Sequence, residues 1–148
     1  LREKYRYLQL VLAGHDHYFW QRIKRQYRKE GIIYTGQVND RELVALYKSA
    51  KCFVMPSFEE GFGIPILEAM ACGTPVVSSN AGALKEIGKE AGIYFDPADL
   101  GDMTEKISMV LNSEKIRLNL ISKGGKRVKD FSWKKLAKQT LEVYSQCE

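Results

Sequence analysis

The chain alternates short apolar runs with amphipathic helical patterns over its first two thirds, and it ends in helical segments. A short, continuous apolar run between glycines or prolines is typical of a strand buried on both faces. Such runs predict strands at residues 8–13, 32–35, 52–55, 76–77 and 92–95. Helical periodicity and capping residues predict helices at residues 17–29, 39–49, 65–72 and 83–87, and three more that begin near Asp99, Ser113 and Ser132.

Strands that alternate with helices in this order favour parallel strands joined by right-handed crossovers. The sequence therefore predicts an α/β protein with a Rossmann-like, doubly wound parallel sheet in three layers, followed by C-terminal helices. In such sheets, ligands bind at the carboxyl ends of the strands. We interpret residues 1–148 as a single domain, because a chain of 148 residues suits one hydrophobic core.

The segment SFEEGFGIPILEAMACGTPVV concentrates glycine and carboxylate at the start of an apolar helix. Glu60 falls in the loop after the third predicted strand and Glu68 in the first turns of the next helix, because glycines and Pro65 interrupt any helix between them. The first N–H groups of a helix lack internal partners and attract an anion such as a diphosphate. Gly61 and Gly63 allow a ligand to approach the backbone closely.

Carboxylates beside an anion site repel phosphate, so we expect Glu60 and Glu68 to bind neutral hydroxyl groups of a ribose and a sugar. The arrangement is therefore typical of a nucleotide-sugar site. Two alternatives stay open from the residues alone. The glycines form only a tight turn beside solvated acids, or the two acids are the acid and nucleophile of a glycosidase. A P-loop is excluded, because the G-x-x-x-x-G-K-[ST] motif is absent from the sequence.

The run EGFGIPILEAMACGTPVV, residues 60–77, closely resembles the signature of the retaining glycosyltransferases of the GT-B fold, family 4. Weaker similarity in LVLAG, YTGQVNDRELVALYKSAKCFVMPS and GIYFDPADL extends the resemblance over almost the whole chain from Leu8. It implies the nucleotide-sugar-binding half of such an enzyme. The N-terminal acceptor domain, and the first strand and helix of this domain with their diphosphate-clamping Arg and Lys, are then missing from the sequence.

The resemblance also implies roles for individual residues. Glu60, the catalytic-site acid, would hold a hydroxyl of the transferred sugar, and Glu68 would hold the ribose hydroxyls of the donor. The segment at Val38 would lie against the base, and the loop that ends at Gly82 would border the cleft. The donor-binding set implied by the resemblance is Glu68, Gly61, Phe62, Gly63, Ile64, Leu67, Val38 and Gly82.

The function implied by the resemblance is transfer of a hexose, with retention, from a UDP- or GDP-sugar such as GDP-mannose. The acceptor would be a glycan or lipid-linked glycan in cell-surface polysaccharide synthesis. We expect no cofactor and no metal, and we expect the chain without its acceptor domain to be inactive. The alternatives are a non-catalytic nucleotide-sugar- or phosphate-binding fragment, and a basic module that binds membrane or nucleic acid.

Charge and cysteine content change this interpretation little. The net charge of +5 comes from 23 basic and 18 acidic residues, with basic clusters at residues 22–29 and 123–135. No stacking platform or reading motif accompanies them, so we expect no nucleic-acid binding. The basic face of the first helix is a candidate contact with an anionic membrane. Cys52 lies in an apolar run and Cys72 at a helix end, so both are interpreted as small buried hydrophobes in a reducing compartment. We therefore expect a cytoplasmic protein, whose basic first helix is its candidate contact with the inner membrane face.

Three further features have structural interpretations. The His15-Asp16-His17 segment is a polar loop rather than a metal site, because no further ligand of matching spacing supports it. The stripe of Trp20, Ile23 and Tyr27 is predicted to pack in the core. The terminal helices are predicted to pack through Phe131, Trp133 and Tyr144.

In the strand order usual for the family, the missing strand is central. The strands that begin near Leu8 and Cys52 would then lack their shared neighbour. Unpaired backbone is costly when it is buried. We therefore expect these strands to pair directly, to recruit another chain, or to leave the fold loose, with no strand of this chain filling the gap.

Overall fold

The computed structural model of the protein describes residues 1, 3–15 and 18–146. The strands in this part of the chain are β1 (Leu10–Ala13), β2 (Ile32–Gly36), β3 (Phe53–Met55), β4 (Val76–Ser79) and β5 (Gly92–Phe95). The helices are α1 (Tyr18–Gln26), α2 (Asp40–Ser49), α3 (Ile64–Ala71), α4 (Leu84–Gly88), α5 (Leu100–Asn112), α6 (Glu114–Arg127) and α7 (Trp133–Ser145), with 3₁₀ turns at Lys89–Ala91 and Val128–Asp130.

Each predicted element is present, and the differences lie at the element ends. β1 begins at Leu10 rather than Leu8, and α1 ends at Gln26 rather than Lys29. The predicted start of α1 at His17 lies outside the described residues. α3 begins one residue before Pro65, so the proline occupies the second helical position rather than the first.

The predicted helix caps are confirmed. The side chain of Asn39 accepts hydrogen bonds from the N–H groups of Arg41 and Glu42, and Glu42 Oε2 accepts one from Asn39 N–H at 2.8 Å. This reciprocal pair is a capping box with asparagine in the first position. The side chains of Asp99, Ser113 and Ser132 each accept a hydrogen bond from the first turn of the helix that follows.

Helix α3 ends in a Schellman motif, as the glycine after it predicts. Gly73 has a φ of 75°, its N–H donates to Met70 O, and Thr74 N–H donates to Ala69 O. These two bonds satisfy carbonyls that the end of the helix leaves without partners. The left-handed glycine turns the chain back into β4.

Contacts between Cα atoms divide the chain into two compact units, residues 1–46 and 47–148. In the first unit, β1 pairs with β2 in parallel, with Leu10 opposite Ile32. Trp20 of α1 lies edge-on to Tyr34 of β2, with ring centroids 5.8 Å apart. Ile23 and Tyr27 stay exposed, so the prediction that their stripe packs in the core was wrong for these two. A two-stranded sheet offers too little apolar area to cover the stripe.

The second unit is built on the parallel sheet β3-β4-β5, with β4 in the centre. Helices α3, α4 and α5 contact β4, and α6 contacts α3 and α5. Cys52 packs against the core of this unit, and burial raises the pKa of its thiol to about 11. Cys52 and Cys72 are both free thiols. The buried core cluster consists of Val77, Phe95, Ile107, Val110 and Leu120.

Parallel strands and flanking helices confirm the predicted α/β, Rossmann-like class. The strands form two hydrogen-bonded sheets, and within the described ranges β1 pairs only with β2 and β3 only with β4. In those ranges, no further strand of the chain lies beside β1 or β3. That a neighbouring strand is missing from the sequence stays a prediction.

Helix α7 is exposed along its whole length. Trp133 and Tyr144 therefore do not pack the terminal helices, and that prediction was wrong for both. Helices α5 and α6 bury their apolar faces in the core of the second unit, whereas α7 buries no residue. Across the described ranges, no helix combines the length and the apolar character needed to cross a bilayer.

Candidate functional site

The loops after β3 and β4 meet at the carboxyl edge of the second sheet, where the parallel order predicts a ligand site. Glu60 is half-buried, and its carbonyl oxygen accepts a hydrogen bond from Ala83 N–H at 3.1 Å. A Cβ on Gly82, which has a φ of 53°, would collide with the same carbonyl. Ser79 of β4 also donates its hydroxyl to Ser57 O at 2.6 Å. The structure thus brings Glu60 and Gly82 together through the backbone.

The two glycines before α3, Gly61 and Gly63, differ in whether the fold itself needs a glycine at that position. Gly63, the N-cap residue of α3, has a φ of 94°, and a Cβ there would lie 2.6 Å from Leu84 Cδ2. The fold itself therefore requires Gly63. Gly61 is exposed, its φ lies outside the left-handed region, and a Cβ there would meet nothing within 4 Å. The tight-turn alternative explains Gly63, whereas Gly61 leaves open space for a ligand against the backbone.

The two faces of α3 have different environments. The face that packs on the core carries the buried side chains Ile66, Ala69 and Met70. Residues three and four apart share a helix face, so Ile64, Leu67 and Glu68 lie together on the opposite side. Ile64 and Glu68 are exposed and Leu67 is half-buried. Three of the residues assigned to donor binding therefore share one solvent-facing surface that begins at the N-terminus of α3.

The N-terminus of α3 is suited to an anion. No side chain caps it, and its first turn contains no acidic residue. Pro65 contributes no N–H group, and Ile66 N–H donates back to Gly63 O at 3.1 Å. The positive end of the helix dipole is thus not neutralised by a side chain of the helix itself. An anion bound there would be stabilised by the helix dipole without displacing a capping group.

Glu68 has a partner that sequence reasoning missed. The hydroxyl of Tyr47 donates to Glu68 Oε2 at 3.2 Å. Tyr47 is only 7% exposed, and its pKa is raised well above the usual range by burial and then by the Glu68 charge. Thr74 donates its hydroxyl to Tyr47 O at 2.7 Å, and the Tyr47 ring lies edge-on to Phe53. An anchored tyrosine therefore orients the carboxylate of Glu68.

A second missed contact supports the loop before α3. The ring of Phe62 is 45% exposed, and it lies edge-on to Phe131 with centroids 5.9 Å apart. The sequence analysis assigned Phe131 to packing among the terminal helices. The structure places its ring against Arg127 of α6 and also against the glycine-flanked loop. No sequence pattern indicated this contact, because Phe62 and Phe131 lie far apart along the chain.

The remaining predicted residues lie in the first unit. Val38 is half-buried in the segment between β2 and α2. His15 is exposed after β1, and Asp16 and His17 lie outside the described residues. Within residues 1, 3–15 and 18–146, no group of three or more His, Cys, Asp or Glu side chains is arranged to hold a metal ion. Arg22 and Arg25 of α1 are exposed, and their contact with a membrane stays a prediction.

The fold is that of one half of a GT-B glycosyltransferase. Sucrose-phosphate synthase from Thermosynechococcus elongatus matches 94% of this chain with a TM-score of 0.83 and 31% sequence identity, and this chain covers 38% of it. HepE of Anabaena, solved in complex with UDP and glucose, matches 93% of this chain with a TM-score of 0.80, and 40% of HepE is covered. Its sequence identity is 21%, so this likeness shows the fold alone.

The family model described as glycosyl transferases group 1 matches residues 1–127, and the chain belongs to this family. The resemblance seen in the sequence is thereby confirmed. O-antigen chain mannosyltransferase B of Escherichia coli is 41% identical over 139 residues, which are 91% of this chain and 36% of the relative. The MMP alpha-(1->4)-mannosyltransferase of Mycolicibacterium hassiacum is 41% identical over 118 residues, which are 76% of this chain and 29% of the relative. The chain thus spans about a third of the length of these relatives.

Proposed function

We propose that this chain is the donor-binding part of a retaining glycosyltransferase that transfers a hexose from a nucleoside-diphosphate sugar. The observation that carries the proposal is the geometry of α3. Its uncapped N-terminus follows the loop of Glu60, and the helix presents Glu68 on its exposed face. A positive helix end with a carboxylate on each side matches a ligand that has an anionic diphosphate between two hydroxyl-bearing groups.

In this proposal the diphosphate lies against the first turn of α3 and the exposed backbone at Gly61. As the bond from the anomeric carbon to the diphosphate oxygen breaks, negative charge grows on the leaving group. In this proposal the positive end of the α3 dipole and the N–H groups of the preceding loop face that charge, so they would stabilise the transition state without reorganisation. No metal is needed for this stabilisation.

In this proposal the two acids, Glu60 and Glu68, bind different parts of the donor. Glu68, held by the Tyr47 hydroxyl, accepts hydrogen bonds from the two ribose hydroxyls. Glu60, whose backbone is fixed by Ala83, accepts a hydrogen bond from a hydroxyl of the transferred sugar. Separate recognition of ribose and hexose keeps the anomeric carbon beside the helix end, and positioning of this kind lowers the entropic part of the barrier.

The relatives support the choice of sugar and process. Two relatives at 41% identity are named mannosyltransferases, and one of them acts on an O-antigen chain. We therefore propose mannose as the transferred sugar, GDP-mannose as the donor to test first, and surface polysaccharide synthesis as the process. Transfer itself would require the acceptor-binding part of a longer protein.

The test is calorimetric titration of the chain with GDP, UDP and GDP-mannose. Replacing Glu68 with Gln removes the charge that strengthens its hydrogen bonds. A hydrogen bond to a charged group is worth about 1.5–3 kcal/mol, against about 0.5–1.5 kcal/mol for a neutral one, so affinity should fall about tenfold or more. The matched control Glu105→Gln changes an exposed carboxylate on α5 and should leave affinity unchanged. Tyr47→Phe should weaken binding by a few-fold, about the worth of one hydrogen bond.

A ligand without ribose hydroxyls separates this role from a general loss of structure. With 2′,3′-dideoxy-GDP, wild type and Glu68→Gln should bind equally weakly. Tyr94→Phe removes a buried hydroxyl that has no hydrogen-bond partner among the described residues, and it should bind like wild type. If Glu68→Gln binds GDP as tightly as wild type, the ribose role of Glu68 is wrong. If no nucleotide binds, the proposed function is wrong for this chain.

A further inference from the structure

Arg127, the last residue of α6, closes the C-terminal end of α4. Its Nε–H donates to Ile87 O at 2.7 Å and its Nη2 donates to Glu86 O at 3.2 Å. The side chain is only 15% exposed, although Arg127 belongs to the basic cluster at residues 123–135. Bonds from a cation to the last carbonyls of a helix stabilise its negative end. Arg127 therefore fixes α4 from the side of α6.

The same guanidinium supports an aromatic pair. It lies 4.6 Å from the centroid of the Phe131 ring, and its Nη1 donates to Asp130 Oδ2 at 2.7 Å. Phe131 in turn meets the Phe62 ring edge-on, with an angle of 88° between the planes. A cation over one face of a ring and a second ring at its edge leave Phe131 little freedom to turn. Phe62 thus rests on a ring that Arg127 holds in place.

The opposite end of α4 holds the same loop at another point. Ala83 N–H, at the start of α4, donates to Glu60 O. Leu84, in the first turn, fills the space beside Gly63. The loop of residues 60–63 therefore rests on two supports, the first turn of α4 and the ring of Phe131. Arg127 contacts both α4 and Phe131.

We infer that Arg127 is a positioning residue, which holds the loop of residues 60–63 in the geometry that binds the donor without itself touching it. The inference rests on the proposed function. A loop that visits its binding geometry only part of the time binds with an affinity reduced by that fraction. Lysine could not replace Arg127, because a single ammonium group lacks the planar fork that reaches two carbonyls and stacks on a ring.

The chain contains a matched control for this inference. Arg117 donates its Nη1 to Val110 O at 2.9 Å and to Leu111 O at 3.0 Å, so it closes the end of α5 as Arg127 closes the end of α4. Arg117→Met and Arg127→Met should lower the melting temperature by similar amounts. Only Arg127→Met should weaken binding of GDP and UDP, by about tenfold if the loop keeps its geometry about a tenth of the time. Arg127→Lys should not restore the affinity.

The ring contact gives a second, independent variant. Phe131→Leu should reduce affinity as Arg127→Met does, whereas Phe131→Tyr keeps the ring and should bind like wild type. Affinity is measured well below the lowest melting temperature in the set. Equal affinity losses in Arg117→Met and Arg127→Met would reduce Arg127 to a general stabilising residue and overturn the inference. If Arg127→Met does not fold, the pair of Phe131 variants decides.

A readout without nucleotide separates this inference from the proposed function. In ¹⁵N-labelled chain, the amide signals of Gly61, Phe62 and Gly63 should shift or broaden in Arg127→Met and in Phe131→Leu, and stay in place in Arg117→Met. Unchanged loop signals in the first two variants would overturn the inference even if nucleotides bind. If wild type binds neither GDP nor UDP, the proposed function fails, and the amide signals still decide whether Arg127 positions the loop.

Discussion

Strands β1 and β4 have the same length, but β1 is the more apolar of the two and β4 is the more buried. β1 reads LVLA, and its Leu10 is 49% and its Val11 41% exposed. β4 reads VVSS, and all of its residues are buried, with Ser78 and Ser79 both at 0% exposure. The more apolar strand is therefore the more exposed one. Burial follows the neighbours that a strand acquires, not only its own hydrophobicity.

The neighbours differ in number and kind. β4 has a hydrogen-bonded strand on each side and three helices packed against it. β1 has β2 as its one sheet partner among the described residues. The candidate site lies at the end of β4, where buried backbone and side chains hold the loops in a fixed geometry. A binding loop needs such a rigid support, because ordering a loose loop at the moment of binding costs affinity.

The largest test of this contrast compares two leucines. Leu84, at 0% exposure, packs beside the β4 layer, whereas Leu10 of β1 is half exposed. Leu84→Ala should cost about 2–5 kcal/mol of unfolding free energy, because it leaves a cavity that the core cannot fill. Leu10→Ala should cost about 1 kcal/mol or less. Urea unfolding followed by circular dichroism measures the unfolding free energy of both variants. Equal losses would contradict the difference in packing between β1 and the β4 layer.

The next test compares two glycines that follow strands. Gly82 has a positive φ and no room for a Cβ against Glu60 O, so Gly82→Ala should destabilise the fold by about 1–3 kcal/mol. At Gly14, after β1, a Cβ would meet nothing within 4 Å. Gly14→Ala should be neutral, or stabilising by about 0.4–1 kcal/mol, because it restricts the unfolded chain. If Gly82→Ala has the same unfolding free energy as wild type in this assay, the close contact between Gly82 and Glu60 O does not constrain the loop.

The smallest test lies within β4 and predicts opposite signs for adjacent serines. Ser79 donates its hydroxyl to Ser57 O, so Ser79→Ala should cost about 1 kcal/mol. The Ser78 hydroxyl is buried without a hydrogen-bond partner in the described part of the chain. Ser78→Ala removes that unsatisfied group and should leave stability unchanged or raise it by up to about 1 kcal/mol. A loss at Ser78 equal to that at Ser79 would indicate a partner for its hydroxyl.

Local features of the fold could be predicted because all their atoms lie within a turn or two of one another. The capping box of Asn39 and Glu42 and the Schellman motif at Gly73 depend only on residues a few positions apart. The alternation of strands and helices likewise follows from short apolar runs. Failures appeared where burial had to be assigned, at Ile23, Tyr27, Trp133 and Tyr144. Apolar periodicity indicates which face seeks a partner, not whether one is present.

For the candidate site, the sequence supplied the loop, the two acids and the glycines, because they form one contiguous run. It could not supply their supports. Tyr47 reaches Glu68 across 21 positions, and Arg127 reaches Ile87 across 40. Contacts between residues so far apart produce no periodic pattern in a single sequence. They depend on which helices the sheet brings side by side.

The sequence by itself thus determined the elements, their caps, the α/β class and the chemistry of the run from Glu60 to Val77, since each is set by neighbouring residues and their backbone preferences. The tertiary structure alone decided which strand is buried, which face of α3 meets solvent, and which distant side chains hold the acids and the loop. The reason is physical: hydrogen bonds and packing across the fold depend on positions in space that separation along the chain does not encode.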